Sequence, residues 1–112
     1  MEVKFSQIAD ELKLGIDSPE LVSRYMSFLA GWMYTLHSQY GKLKAEAAEW
    51  LTRNRDKYKS YAECERAWDA TEDGKLLIKL KHRIQGIEHL QDALKSQHFL
   101  LNREWRDRGV ES

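Results

Sequence analysis

One proline and six glycines among 112 residues leave this chain short of the residues that punctuate sheets and loops. Hairpins need Gly, Asn-Gly or Pro at fixed turn positions, and no Ser- or Gly-rich run supplies a flexible linker, so little room is left for sheet hairpins or flexible linkers. A single cysteine, Cys64, rules out an internal disulfide. The opening Met1-Glu2-Val3-Lys4-Phe5 lacks the basic and apolar regions of a signal peptide. Together these predict a reducing, cytoplasmic setting. An excess of either charge is also missing: eighteen Lys plus Arg balance eighteen Asp plus Glu. No global field draws the protein to nucleic acid or to an anionic membrane, so any such binding needs a local patch, and neutrality favours self-association.

Against a charged content of 32%, the stretch Tyr25–Gly41 carries no charged side chain over seventeen residues. A membrane span takes about twenty predominantly apolar residues. This stretch is shorter and contains Ser27, Thr35, His37, Ser38 and Gln39, so it reads as a water-excluding helix of a soluble protein. Its apolar residues lie on nearly every side, which a single neighbouring helix could not cover. More than one partner surface is implied.

The apolar spacing is helical almost throughout, and residues 1–112 read as a single all-α domain. A first short helix is predicted over Ser6 to Leu14, with Phe5, Ile8, Ala9 and Leu12 on one face and Gly15 as its stop. Ser18-Pro19-Glu20 starts a long helix: the serine caps, proline suits the first helical position, and the glutamate complements the dipole. Its positions Leu29, Met33, Leu36, Tyr40, Leu43, Ala47, Trp50 and Asn54 alternate steps of four and three, a seam that faces one partner helix. Gly41 is tolerated inside it. The pattern ends at Thr52-Arg53-Asn54-Arg55-Asp56-Lys57. Ser60 and Glu63 then have capping-box spacing for a second long helix.

That helix has an early face of Tyr61, Cys64 and Trp68, and a later seam of Leu77, Leu80, Ile84, Ile87, Gln91, Leu94, His98, Leu101 and Trp105. The two are out of phase near Glu72-Asp73-Gly74, which predicts a bend or break at Gly74. The expected fold is a short N-terminal helix plus two long antiparallel helices, a helical hairpin that dimerises into a helical bundle. Gly31 and Gly86 fall on the backs of their helices, flanked by Phe28, Trp32 and Tyr34, where a second copy of the chain is expected. Trp105 is expected to pack against Phe5, Ile8 or Leu12. Gln91 sets register, and His98 is expected to be hydrogen-bonded in the core or interface.

Chemical signatures are sparse. His37, His82, His89 and His98 lack the close His/Cys/Glu spacing of a zinc site, and no phosphate loop, nucleophile elbow or Cys-His pair occurs, so no cofactor is expected. Arg53, Arg55, Lys57 and Lys59 surround Tyr58 and Tyr61 at the turn, and a second basic band runs through Lys42, Lys44, Lys75, Lys79, Lys81 and Arg83. Cations beside aromatics can neutralise phosphates and stack bases, which makes the turn a candidate nucleic-acid site.

Glu46-Ala47-Ala48-Glu49, then nineteen residues, then Asp69-Ala70-Thr71-Glu72, resembles the acidic pairs of the all-helical MazG-type nucleotide pyrophosphohydrolases. The resemblance implies magnesium held by Glu46, Glu49, Asp69 and Glu72, oxygen ligands of the kind that ion takes. The run Ala70 to Gly74 leading into Lys-Leu-rich heptads resembles small helical accessory proteins of tailed bacteriophages, and carries no catalytic residues. The favoured expectation is a non-enzymatic interaction protein, a phage accessory or inhibitor acting as a homodimer on a protein partner. The alternatives are a nucleic-acid-binding accessory of recombination or replication, and the magnesium-dependent hydrolase.

Overall fold

A computed structural model of the protein describes the backbone of residues 5–111 and the side chains of residues 5–103. The expected packing of Trp105 lies outside the described side chains. Helix α1 spans Phe5–Leu14, α2 Pro19–Asn54, a 3₁₀ turn Arg55–Lys57, α3 Tyr61–Asp69 and α4 Glu72–Glu111. Among the described residues there is no strand. The chain is all-α, with four α-helices among the described residues where the spacing predicts three.

Local chemistry accounts for the boundaries. Gly15 ends α1 at φ +86°, a left-handed backbone that glycine adopts without strain, and its amide donates to the Leu12 carbonyl. Ser18 Oγ accepts from the Leu21 amide at 3.2 Å, and Pro19 is the first residue of α2. Ser60 Oγ accepts from the Glu63 amide at 3.2 Å and starts α3. Gly41 lies within an unbroken α2.

The interruption of the second long helix falls at Ala70 and Thr71, earlier than the predicted Gly74. Thr71 makes it. Its hydroxyl donates to the Trp68 carbonyl at 2.6 Å and accepts from the Gly74 amide at 3.0 Å, closing α3 and capping α4 with one side chain. Gly74 itself is buried, and a Cβ on it would lie 2.0 Å from the Trp68 carbonyl oxygen. Only a residue without a side chain lets the start of α4 approach the end of α3 this closely.

The chain forms two compact units, Met1–Met33 with Gly86–Ser112, and Tyr34–Gln85. The first buries Ile8 of α1, Ile16 of the following loop, Val22, Tyr25 and Leu29 of α2, and Ile87, Leu94 and Leu101 of α4. The second buries Leu36, Leu43 and Ala47 of α2, Cys64 and Trp68 of α3, and Leu80 and Ile84 of α4. Each fully buried leucine contributes about 2 kcal/mol of transfer free energy, so these alternating positions carry the fold. The seam expected on α2 is buried or half-buried at every position from Leu29 to Asn54. On α4 the same holds from Leu77 to Leu101.

Two expectations are corrected. Tyr61, expected on the early apolar face with Cys64 and Trp68, is 48% exposed because it is the first residue of α3, and its ring meets Arg55 instead of the core. His98 is half-buried as expected, but among the described residues its Nδ1 has no hydrogen-bond partner. The polar residue that does bridge distant segments is its neighbour Gln97, whose Nε2 donates to the Ile16 carbonyl at 2.9 Å.

Candidate functional site

In the first unit, α1 lies against the uncharged part of α2. Phe5 meets Phe28 at a centroid distance of 5.8 Å and Trp32 at 5.7 Å, and Phe28 meets Trp32 at 6.4 Å. Edge-to-face and tilted geometries of this kind add about 1 kcal/mol per pair beyond the area buried. Below this cluster the buried Tyr25 hydroxyl donates to Glu11 Oε2 and accepts from Gln7 Nε2 at 3.5 Å. Burial, reinforced by the Glu11 carboxylate, raises the Tyr25 pKa above its ordinary value of 10.0.

Of the residues expected to meet a second chain, Phe28 is half-covered by Phe5, so part of the surplus apolar surface is taken up by α1. Trp32 remains 39% exposed at the edge of the cluster. Gly31 and Gly86 are exposed, and a Cβ built on either meets nothing within 4 Å. Tyr34, in the second unit, is 81% exposed.

In the second unit, Trp50 packs on Trp68 at 5.7 Å and on Tyr58 at 6.5 Å, which pins the 3₁₀ turn between α2 and α3. The guanidinium of Arg55 sits 5.6 Å over the Tyr61 ring. Arg53, Lys57 and Lys59 are exposed around it, whereas Tyr58 is half-buried against Trp50. The turn therefore gathers the predicted cations, with one aromatic already engaged by a cation and another by the core.

Beside this turn a groove of about 500 Å³ opens between α2, α3 and the start of α4. Ala48, Leu51, Trp68 and Leu77 contribute its apolar lining. Lys44 stands on α2, Arg55 on the 3₁₀ turn, and Glu65 and Asp69 on α3. No motif or spacing in the sequence points to this groove. Its one sequence trace is the pair of small residues Ala47 and Ala48, set where larger ones would fill it.

Glu46, Glu49, Asp69 and Glu72 are all exposed. Asp69 borders the groove, while Glu49 borders a separate depression with Arg53. Among the described residues no group of three or more His, Cys, Asp or Glu side chains is placed to hold a metal ion. No helix among them is long and apolar enough to cross a membrane. No protein-family model, curated protein or solved structure matches the chain.

Proposed function

We propose that this chain is a non-enzymatic helical interaction protein that acts by protein–protein binding as a homodimer. The observation that carries this reading is Trp32: α1 covers one side of the aromatic cluster and leaves the indole 39% exposed beside Gly31, which has no side chain to cover it. An exposed indole next to such a position gives another helix both an apolar anchor and room for close approach. Leu14, Phe99 and Leu100 add exposed apolar surface in the same unit. A net charge of zero removes long-range repulsion between copies. In this reading α2 and α4 run antiparallel as a hairpin, and the second copy completes a bundle across Phe28, Gly31, Trp32, Tyr34 and Gly86.

Sedimentation velocity across nanomolar to micromolar concentrations tests it. A concentration-dependent dimer is expected, and Trp32→Lys should shift it to monomer with unchanged helical circular dichroism. A monomer throughout the range ends the homodimer reading. The exposed Arg53, Lys57 and Lys59 support a second reading, single-strand nucleic-acid binding at the turn. It requires a low-salt complex that is lost when those three are neutralised.

A further inference from the structure

We infer that the groove of the second unit is a docking site for one helix of a partner protein, whose apolar strip carries basic residues along one edge and acidic residues along the other. The inference rests on the chain being an interaction protein, but on a surface separate from the dimer face.

The chemistry of the two walls selects the occupant. Glu65 and Asp69 are one helical turn apart on α3, and neither has an ion-pair partner among the described residues. Like charges at this spacing disfavour the helix. Asp69 is also the last residue of α3, where the helix dipole is negative and a carboxylate is least welcome. Both penalties fall in one place and both are relieved by a cation arriving from outside.

The opposite wall has the reverse sign. It carries Lys44 of α2, while Arg55 stands at its end in the 3₁₀ turn. Among the described residues each lies beside an aromatic face, Lys44 beside Tyr40 at 5.4 Å and Arg55 over Tyr61 at 5.6 Å. A helix lying between the walls would bring acids to Lys44 and Arg55 and bases to Glu65 and Asp69.

Shape and backbone chemistry exclude the other forms. The groove is a half-open depression between helices, so it takes a row of side chains and does not enclose a small molecule. Its walls are helices whose amides and carbonyls bond within themselves, so an extended peptide would find no backbone partners there. A helix arrives with its own backbone satisfied and fills the apolar lining with side chains at i, i+3 and i+7. Trp68, 6% exposed, presents part of its indole at that lining, while its Nε1 is buried and has no hydrogen-bond partner among the described residues.

Three synthetic helical peptides with the same leucine strip test the inference on the full chain: one with lysine on one edge and glutamate on the other, one with lysine on both, one with glutamate on both. Binding is read from the indole resonance of Trp68. The mixed peptide is expected to bind about tenfold more tightly than either single-sign peptide. Charge reversal at the two exposed acids, E65K with D69K, should transfer the preference to the all-glutamate peptide. Filling the groove from an exposed position, A48K, should abolish binding. Equal affinity for all three peptides, no response of Trp68 to any of them, or an unchanged preference in the charge-reversed variant overturns the proposal. Trp32→Lys should bind the mixed peptide as the parent does, so failure of this docking site is distinguishable from failure of the dimer.

Discussion

The α-carbon of Gly74 faces the carbonyl of Trp68 so closely that a Cβ there would lie 2.0 Å from the oxygen and 2.7 Å from the carbonyl carbon. Both atoms are backbone, so no rotamer change relieves the clash, and α3 would have to move from the start of α4. Gly74→Ala is therefore expected to destabilise by at least about 2 kcal/mol, although alanine is the better helix former. Thr71→Ala, which removes both hydrogen bonds of the junction, should lose about 1 kcal/mol, and Thr71→Ser much less. Urea unfolding of the three variants checks the order; a neutral Gly74→Ala would mean the junction is not built this way.

Gly31 and Gly86 should behave in the opposite sense. Each sits inside a helix with open space at the Cβ position, so alanine should stabilise the isolated chain by roughly 0.5 to 1 kcal/mol at each site. If the two glycines line a face between copies, the same substitutions should weaken assembly. Thermal melts at low concentration, set beside sedimentation at high concentration, separate the two effects. Stabilisation without any change in assembly would place both residues on surface that no second copy covers.

The contrast among the glycines shows which parts of the fold are legible in the sequence. Gly15, Ser18 and Ser60 act within three or four residues of themselves, so their caps are readable as local patterns. The seams of α2 and α4 are periodic, and Leu29 to Asn54 can be assigned from spacing alone. Gly74 is readable as special but not for the right reason, because its role depends on the path of α3 and not on the tendency of glycine to end helices. Tyr61 continues the spacing of Cys64 and Trp68, yet it stands in the first turn of its helix, where a cation and not a core meets its ring. The groove lies furthest from the sequence, since it depends on the separation of Ala48 from Leu77, which no repeat encodes.

Tyr25 predicts a specific alkaline weakness. Its pKa is raised in the folded chain by burial and then by Glu11, so the native state holds the phenol proton more tightly than the unfolded state. Its contribution to stability is complete below the ordinary value of 10.0 and is lost as pH rises through the folded value. Stability should therefore fall above about pH 10 more steeply in the parent than in Tyr25→Phe. At neutral pH the same variant should lose about 1 to 3 kcal/mol, because Glu11 is left without its donor. Denaturant midpoints at neutral and alkaline pH measure both effects, and identical alkaline slopes in the two proteins would remove Tyr25 from the account.

Gln97 ties residues 81 positions apart, donating at 2.9 Å to the Ile16 carbonyl in the loop between α1 and α2. Ile16 itself is buried, so its carbonyl is held where water replaces a lost donor poorly. Gln97→Leu keeps approximate size but leaves that acceptor unsatisfied, which should reduce stability by about 1 to 3 kcal/mol. Gln97→Glu should be worse, because a carboxylate oxygen would face a carbonyl oxygen in place of the amide nitrogen. The effect should be local before it is global: hydrogen exchange should accelerate first in α1, which is held by this loop at its end and by Tyr25 and Phe28 along its length. If α1 loosens, Phe28 and Trp32 lose the cover of Phe5, and the variant should self-associate more strongly than the parent through the surface so uncovered. Exchange rates in α1 equal to those of the parent would show that the Gln97 bond does not hold this helix in place.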